Sequence, residues 1–316
     1  MLHALPLAAR LALALLALLA GVVAVSAAGA AVTQPPLRGR MVEIAEGRRL
    51  RLVCEGPAAA VPVVWFEAGA FGFAADWASV QARLSRLAIR SCAYDRAGLG
   101  FSDPGPAPRD SDAAAADLER LIAASGETGP FLFVGHSAAG LSLRRYAGLH
   151  PDRVMGLVLV DAMTPESARV SDFAARFPGI ARWAARAASL GLFKPLIWTS
   201  APDRIGLLGA ARTEKRHAFA SGRHNRAAAA EVSAWPLSIA EGLATPPYDP
   251  AWPVAVVLAG PASERPDAGG LRGAPAVAAR RGRLDRVEAA THASLLGEAH
   301  ADRIVAAIRF VAAAPP

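Results

Sequence analysis

The chain has 316 residues, 53% hydrophobic and 19% charged, which suits one large α/β domain with an inserted subdomain and excludes a disordered chain. Its formal charge is +7, yet Lys194 and Lys215 are the only lysines and the arginines are spread along the whole length. With no basic run interleaved with aromatics, the charge is a bias of composition with a weak pull toward anionic membrane surfaces, and nucleic acid is excluded as a partner.

Arg10 precedes Leu11 to Val32, an uncharged apolar run of 22 residues. The run is long enough to cross a bilayer. It also has the layout of a secretory signal: a charged start, a leucine core, and Ala28-Gly29-Ala30 as a cleavage site. Residues 1–32 are therefore expected to be a signal peptide or a transmembrane anchor. Either makes the protein exported (cell envelope, periplasmic or secreted), with membrane association through residues 11–32 if the segment stays. Arg38 and Arg40 follow the run as Arg10 precedes it, so charge leaves the orientation open.

Residues 33–40 form a polar, proline-bearing linker. Met41 to Ile44 and Leu50 to Cys54 flank Glu46-Gly47 and predict a hairpin. Val61 to Phe66 reads as a buried strand leading into Glu67-Ala-Gly-Ala-Phe-Gly72. Trp77, Val80, Leu84 and Leu87 recur at helical spacing, followed by a strand ending at Tyr94. A loop, Asp95-Arg-Ala-Gly-Leu-Gly-Phe-Ser-Asp-Pro104, then precedes a helix over Asp112 to Ala124, capped by Asp110 or Ser111. Gly98-x-Gly100 lacks the third glycine and the opening helix of a dinucleotide loop, so no cofactor is expected.

Next, Phe131-Leu-Phe-Val runs straight into Gly135-His-Ser-Ala-Ala-Gly140, and a helical pattern follows through Leu141, Leu143, Tyr146 and Leu149. Strand, tight turn and helix in that order hold the serine in a strained backbone with its hydroxyl pushed out of the sheet edge. The helix N-terminus behind it presents free N–H groups and a positive dipole end to any anion formed there. A strand at Val154 to Val160 closes on Asp161. From Met163 to Pro250 the alternation gives way to helical stretches around Phe173–Leu192 and Glu214–Ile239. Strands resume at Val254–Leu258 and Leu284–Glu288, and a last helix covers Ala299 to Val311. Strands alternating with helices imply a largely parallel sheet with its site at the strand C-terminal ends.

The elbow at Ser137, the Glu67–Ala70 turn, the Tyr94–Asp103 block, the Arg153–Asp161 strand and a late histidine together resemble the α/β-hydrolase fold family over about residues 37 to 313. The elbow departs from the family's Gly-x-Ser-x-Gly by carrying Ala139, with Gly140 one place later. The resemblance implies an eight-stranded, mostly parallel sheet flanked by helices, built from residues 41–162 and 251–316. Residues 163–250 would be an inserted helical cap that roofs the pocket and selects substrate by shape. Since the second and fourth strands of that sheet are neighbours, it also implies either a cross-strand disulfide between Cys54 and Cys92 or two separate buried thiols. No metal site follows from two cysteines so placed.

Serine needs a base within hydrogen-bond reach and an acid to orient that base. The family order of serine, acid, histidine gives Ser137 as nucleophile and His292, in Thr291-His-Ala-Ser294, as base; His136 is expected to pack beneath the nucleophile. The turn where most relatives carry the acid has Ser263 in the usual place, with Glu264 and Asp267 nearby. The other known place, after the strand that follows the elbow helix, holds Asp161. Asp161 is the preferred acid and Glu264 the alternative. By position, the oxyanion hole is formed by the backbone N–H groups of Ala70 and Ala138. The expected activity is hydrolysis of an ester or related acyl bond of a small, fairly apolar substrate through an acyl-serine. Two alternatives accompany it. One is a non-catalytic binding or sensing protein, or an anchored scaffold, on the same fold; the other is a cofactor-free haloperoxidase or acyltransferase using the same triad.

Overall fold

An eight-stranded sheet forms the centre of the protein in the computed structural model, which describes residues 6–58, 62–261 and 270–313. Strands β1 (Arg40–Ala45) and β2 (Arg48–Glu55) make the expected hairpin. Then follow β3 (Val64–Glu67), β4 (Ser91–Tyr94), β5 (Phe131–His136), β6 (Val154–Val160), β7 (Val254–Ala259) and β8 (Gly282–Val287). The order across the sheet is β1-β2-β4-β3-β5-β6-β7-β8, with β1–β2 and β2–β4 antiparallel and every later pair parallel. Every residue of β3, β5 and β7 is buried, as continuous apolar runs in a sheet covered on both faces should be.

Alternate residues of each strand serve opposite faces. Leu132 and Val134 of β5 pack toward α2 (Ala78–Arg86) and the C-terminal helix Ala301–Ala312, through Val80, Leu84, Ile304 and Ile308. Phe131 and Phe133 pack toward α3 (Ser111–Ser125) and α4 (Ala139–Leu149), through Leu121, Ile122, Leu143 and Tyr146. Asp110 is the cap of α3, accepting from the N–H of Ala113 at 3.0 Å. Cys54 and Cys92 stand directly opposite one another across β2 and β4, with Cα atoms 4.1 Å apart, and are joined in a disulfide.

Between β6 and β7 lie α5 (Pro165–Arg169), α6 (Asp172–Ser189), α7 (Gly209–Ala220), α8 (Gly222–Ser233) and α9 (Trp235–Ala244). The helical stretch read as Glu214–Ile239 is thus three helices. Ser221 stops the first and caps the second, accepting from the N–H of His224, and Pro236 restarts the third, since proline suits only the first turn of a helix. α6 packs on α8, while α9 packs on α3, α4 and α5. At the other end of the chain, α1 (Leu7–Val32) is one continuous helix, long and apolar enough to cross a membrane, with Ser26 and Ala30 as its buried residues.

Candidate active site

The site begins at the turn between β5 and α4. Ser137 has φ 57°, a left-handed conformation that costs a non-glycine residue energy and persists only where its surroundings hold it. Its N–H donates to Val160 O at 3.2 Å, and its own carbonyl accepts from the N–H groups of Gly140 at 3.1 Å and Met163 at 2.8 Å. The shifted glycine has a local explanation. A Cβ at Gly140 would collide with the Met163 carbonyl, and one at Gly135 would lie 2.5 Å from Leu143 Cδ1. The Cβ of Ala139, by contrast, would be 3.4 Å from a Cβ at Gly135, an ordinary contact. Strand and helix therefore need glycine at 135 and 140, whereas alanine fits at 139.

His292 sits in the loop after β8, braced by Thr291 and Ser294. The Thr291 N–H donates to Ser294 Oγ at 2.9 Å, and the Ser294 N–H donates to Thr291 Oγ1 at 3.1 Å. Its Nε2 is 2.9 Å from Ser137 Oγ and its Nδ1 is 2.6 Å from Asp161 Oδ2. Asp161 directly follows β6 at φ 44° and is only 2% exposed. Its N–H donates to Val257 O at 2.7 Å. Its second oxygen, Oδ1, accepts from Arg272 Nη1 at 2.8 Å and from the Ala259 N–H at 3.3 Å, leaving Oδ2 aimed at the imidazole. Glu264, the alternative acid, lies outside the described residues, as do Ser263 and Asp267.

His136 lies against the histidine loop rather than idle in the core. Its Nε2 is 3.0 Å from the His292 carbonyl, and the two rings are 4.4 Å apart. Burial, then the neighbouring His292, lowers its pKa from 6.5 to about 3. A neutral ring that serves a carbonyl must carry its single proton on Nε2, so this bond holds the His292 backbone at neutral pH.

The loop after β3 passes directly over the serine: a Cβ at Gly69 would lie 2.8 Å from Ser137 Cβ. Buried Arg96 holds that loop from behind. It donates to the carbonyls of Ala68 and Gly69, and it pairs with Glu67 at 2.6 Å and with Glu231 of α8 at 2.8 Å. In a trans peptide the C=O and N–H point in opposite directions. Fixing the Gly69 carbonyl on Arg96 therefore turns the Ala70 N–H the other way. The Ala138 N–H belongs to the residue that leads into α4. Ala70 and Ala138 both line a cavity of about 40 Å³ whose apolar wall includes Leu141, Val232 and Trp235. The loop containing Gly98 and Gly100 is joined to α8, the Gly100 N–H donating to His224 Nδ1 at 3.0 Å. Glu127 stands beside Cys54 and Cys92, but the two sulfurs are bonded to each other and offer no thiolate to a metal.

The structure thus brings Ser137, His292 and Asp161 into one hydrogen-bonded line, with Ala70 and Ala138 beside a shared cavity. Sequence reasoning missed two residues of this arrangement. Arg96 is visible within the Tyr94–Asp103 block, but nothing in its spacing marks it as the support of the Ala68 and Gly69 carbonyls. Arg272 carries no local signal, because a lone arginine in a glycine-rich turn points to nothing until the fold sets it beside Asp161.

A model of the α/β hydrolase fold matches residues 62–193. An AB hydrolase superfamily protein of Gibberella zeae is 33% identical over 128 residues, covering 38% of this chain and 39% of that protein. An uncharacterized vacuolar membrane protein of Saccharomyces cerevisiae is 33% identical over 109 residues, covering 33% of this chain and 17% of that one. The chain thus spans well under half the length of either relative. Among solved structures, a thermophilic esterase from Thermogutta terrifontis superposes with a TM-score of 0.61 at 20% identity, covering 84% of this chain and 94% of its own. With that sheet order, that elbow and these matches, the chain has the α/β-hydrolase fold.

Proposed function

We propose that the protein is a serine hydrolase that cleaves an ester or related acyl bond through an acyl-Ser137 intermediate. One observation carries the reading: a serine held at φ 57° at the head of a helix, in line with His292 at 2.9 Å and, through it, Asp161 at 2.6 Å. His292 Nε2 takes the Ser137 proton as Oγ attacks the acyl carbon. The N–H groups of Ala138 and Ala70 donate to the resulting oxyanion. Collapse expels the alcohol, which receives the proton from His292. A water deprotonated by His292 then attacks the acyl-serine, and the acid leaves as Ser137 regains its proton. Asp161 accepts from Nδ1–H, fixing the tautomer and stabilising the imidazolium. The cavity beside Ala70 and Ala138 has space for only a few water-sized groups, which favours a short acyl group; Leu141, Val232 and Trp235 give it an apolar side and Arg109, Ser111 and Ser142 a polar one. Helices α6, α8 and α9 pack over this side of the sheet and serve as the cap. We further infer that α1 keeps the exported protein at a membrane.

The test is labelling of the purified full-length chain in detergent with a fluorophosphonate probe. Strong labelling is expected, absent in Ser137→Ala and reduced to background in His292→Ala. Asp161→Ala should label far more slowly, while Glu264→Ala should label as the wild type does. A folded wild type that takes no probe rejects the hydrolase reading.

A further inference from the structure

Helix α6 has two apolar faces, and the protein covers only one. Ala174, Ala181, Ala185 and Ala188 are buried, and the first three pack with Ala229 and Val232 of α8. A second stripe, Phe173, Ile180, Trp183 and Leu190, recurs at helical spacing on the outside, with half-buried Ala187 in the same row. Of these, Phe173 is 57% exposed, Ile180 59%, Trp183 69% and Leu190 72%; Trp198, in the turn that follows, is 58% exposed. So many large side chains in one exposed row mark a contact surface. Arg182 and Arg186 are exposed alongside the row and Arg176 within it, and the Arg186 guanidinium lies 5.1 Å from the Trp183 ring centroid. An apolar stripe bordered by arginine and tryptophan is the composition of a helix lying in a membrane interface.

The position of α1 identifies the occupant. Its residues 11–22 are exposed on every side. Packing against the body sets in at Val23, which lies over Gly191, and continues with Gly29 on the Trp198 ring and Ala30 beside Ile197 and Ala220. From Leu7 to Val22 the helix is about 24 Å long at 1.5 Å per residue, most of the thickness of a bilayer core. A bilayer that takes up this part of α1 has its surface at the level of residues 190–198, where the outer stripe of α6 begins. The stripe also leads inward. Phe173 stacks on Phe177 at 4.6 Å, and Phe177 lies 5.5 Å from Trp235, which lines the cavity beside Ala70 and Ala138.

We propose that the outer face of α6 and the turn after it rest in the headgroup region of an anionic phospholipid bilayer, beside the α1 that anchors the chain there. The face thereby sets the aromatic path to the cavity against the lipid. The inference rests on the membrane reading of α1 and is independent of the acyl-serine chemistry.

The disulfide leaves no free cysteine among the described residues, so an introduced cysteine takes a thiol-reactive, environment-sensitive fluorophore selectively. Full-length Trp183→Cys, Leu190→Cys, Leu16→Cys and Val277→Cys chains would be labelled and placed in vesicles of phosphatidylcholine and phosphatidylglycerol carrying headgroup-level or deep nitroxide lipids. Val277 is the control, an apolar residue 79% exposed on another element. Labels at 183 and 190 are expected to shift to the blue and be quenched best by the shallow nitroxide. The label at 16 should be quenched best by the deep one, and the label at 277 by neither. Water-exposed labels at 183 and 190 overturn the proposal, whether the label at 16 reports lipid (an anchor with the body held off the surface) or water (no insertion). Blue-shifted labels at 183 and 190 that neither nitroxide quenches overturn it too, because a second protein copy then covers the stripe. Probe reactivity of Ser137, measured separately, reports on the hydrolase reading alone.

Discussion

Asp161 carries two loads at once, with Oδ2 on His292 and Oδ1 on Arg272 and the Ala259 N–H. Replacing it by asparagine keeps the shape but offers His292 an amide that can stabilise the wrong tautomer. Asp161→Asn should therefore lower kcat for an ester substrate by about 10²–10⁴ with little change in KM, read from steady-state kinetics. His224 tests burial instead. It is enclosed, with Lys215, Arg223 and Arg96 around it, and burial first and Lys215 next lower its pKa from 6.5 to about 3. Between those values the unfolded chain binds a proton that the folded chain does not. The contribution of His224 is therefore complete above pH 6.5 and is lost as pH falls toward 3, with a slope of about 1.4 kcal/mol per pH unit. Urea unfolding of wild type and His224→Gln at pH 7 and pH 5 should show the smaller acid loss in the variant; equal losses would contradict the assignment.

At the scale of elements, the insertion is tied to the core by buried ion pairs as well as by apolar packing. Glu214 of α7 meets Arg51 at 2.8 Å and Arg38 at 2.5 Å, Lys215 meets Asp76 at 2.8 Å, and Glu231 of α8 meets Arg96 at 2.8 Å. Removing one member of such a set leaves its partners charged and unpaired in the interior. Arg96→Ala strands both Glu67 and Glu231 and should cost about 3–5 kcal/mol in urea unfolding. Arg96→Lys retains the charge, but one ammonium cannot reproduce the guanidinium fork that serves two carboxylates and two carbonyls. It should leave the chain folded and lower kcat more than it raises KM, because the Ala70 N–H loses its fixed direction. An unchanged kcat would separate Arg96 from the oxyanion loop.

For the molecule as a whole, the disulfide closes the antiparallel end of the sheet and links residues 38 apart in the chain. A loop of that length lowers unfolded-state entropy by an amount worth about 3–4 kcal/mol. The double variant Cys54→Ala/Cys92→Ala should lose most of that in chemical unfolding while keeping a reactive Ser137, since the bridge lies between β2 and β4, away from the elbow. Oxidation of this pair supports the export proposed above, because such bonds persist in oxidising compartments.

Much of this protein is written locally. The apolar runs of β3, β5, β6 and β7, the small residues around Ser137 and the 22-residue run that became most of α1 each follow from physics acting over a few neighbours, so the sequence alone determines them. The break of residues 214–239 into three helices was local as well, set by Ser221 and Pro236, but helical periodicity concealed it. Tertiary structure decided what depends on distant partners. Ser137 and Asp161 flank one helix and the strand after it, whereas His292 arrives from 131 residues beyond Asp161, and only the order β5-β6-β7-β8 brings its loop to them. Whether Cys54 and Cys92 would be thiols or a bridge depended on the register of β2 against β4. The service of Arg272 to Asp161, and of Arg96 to the Ala68 and Gly69 carbonyls, leaves no trace in spacing. Hydrogen bonds and ion pairs are short-ranged, so which groups they join is decided only when the folded sheet sets distant segments within about 3 Å of one another.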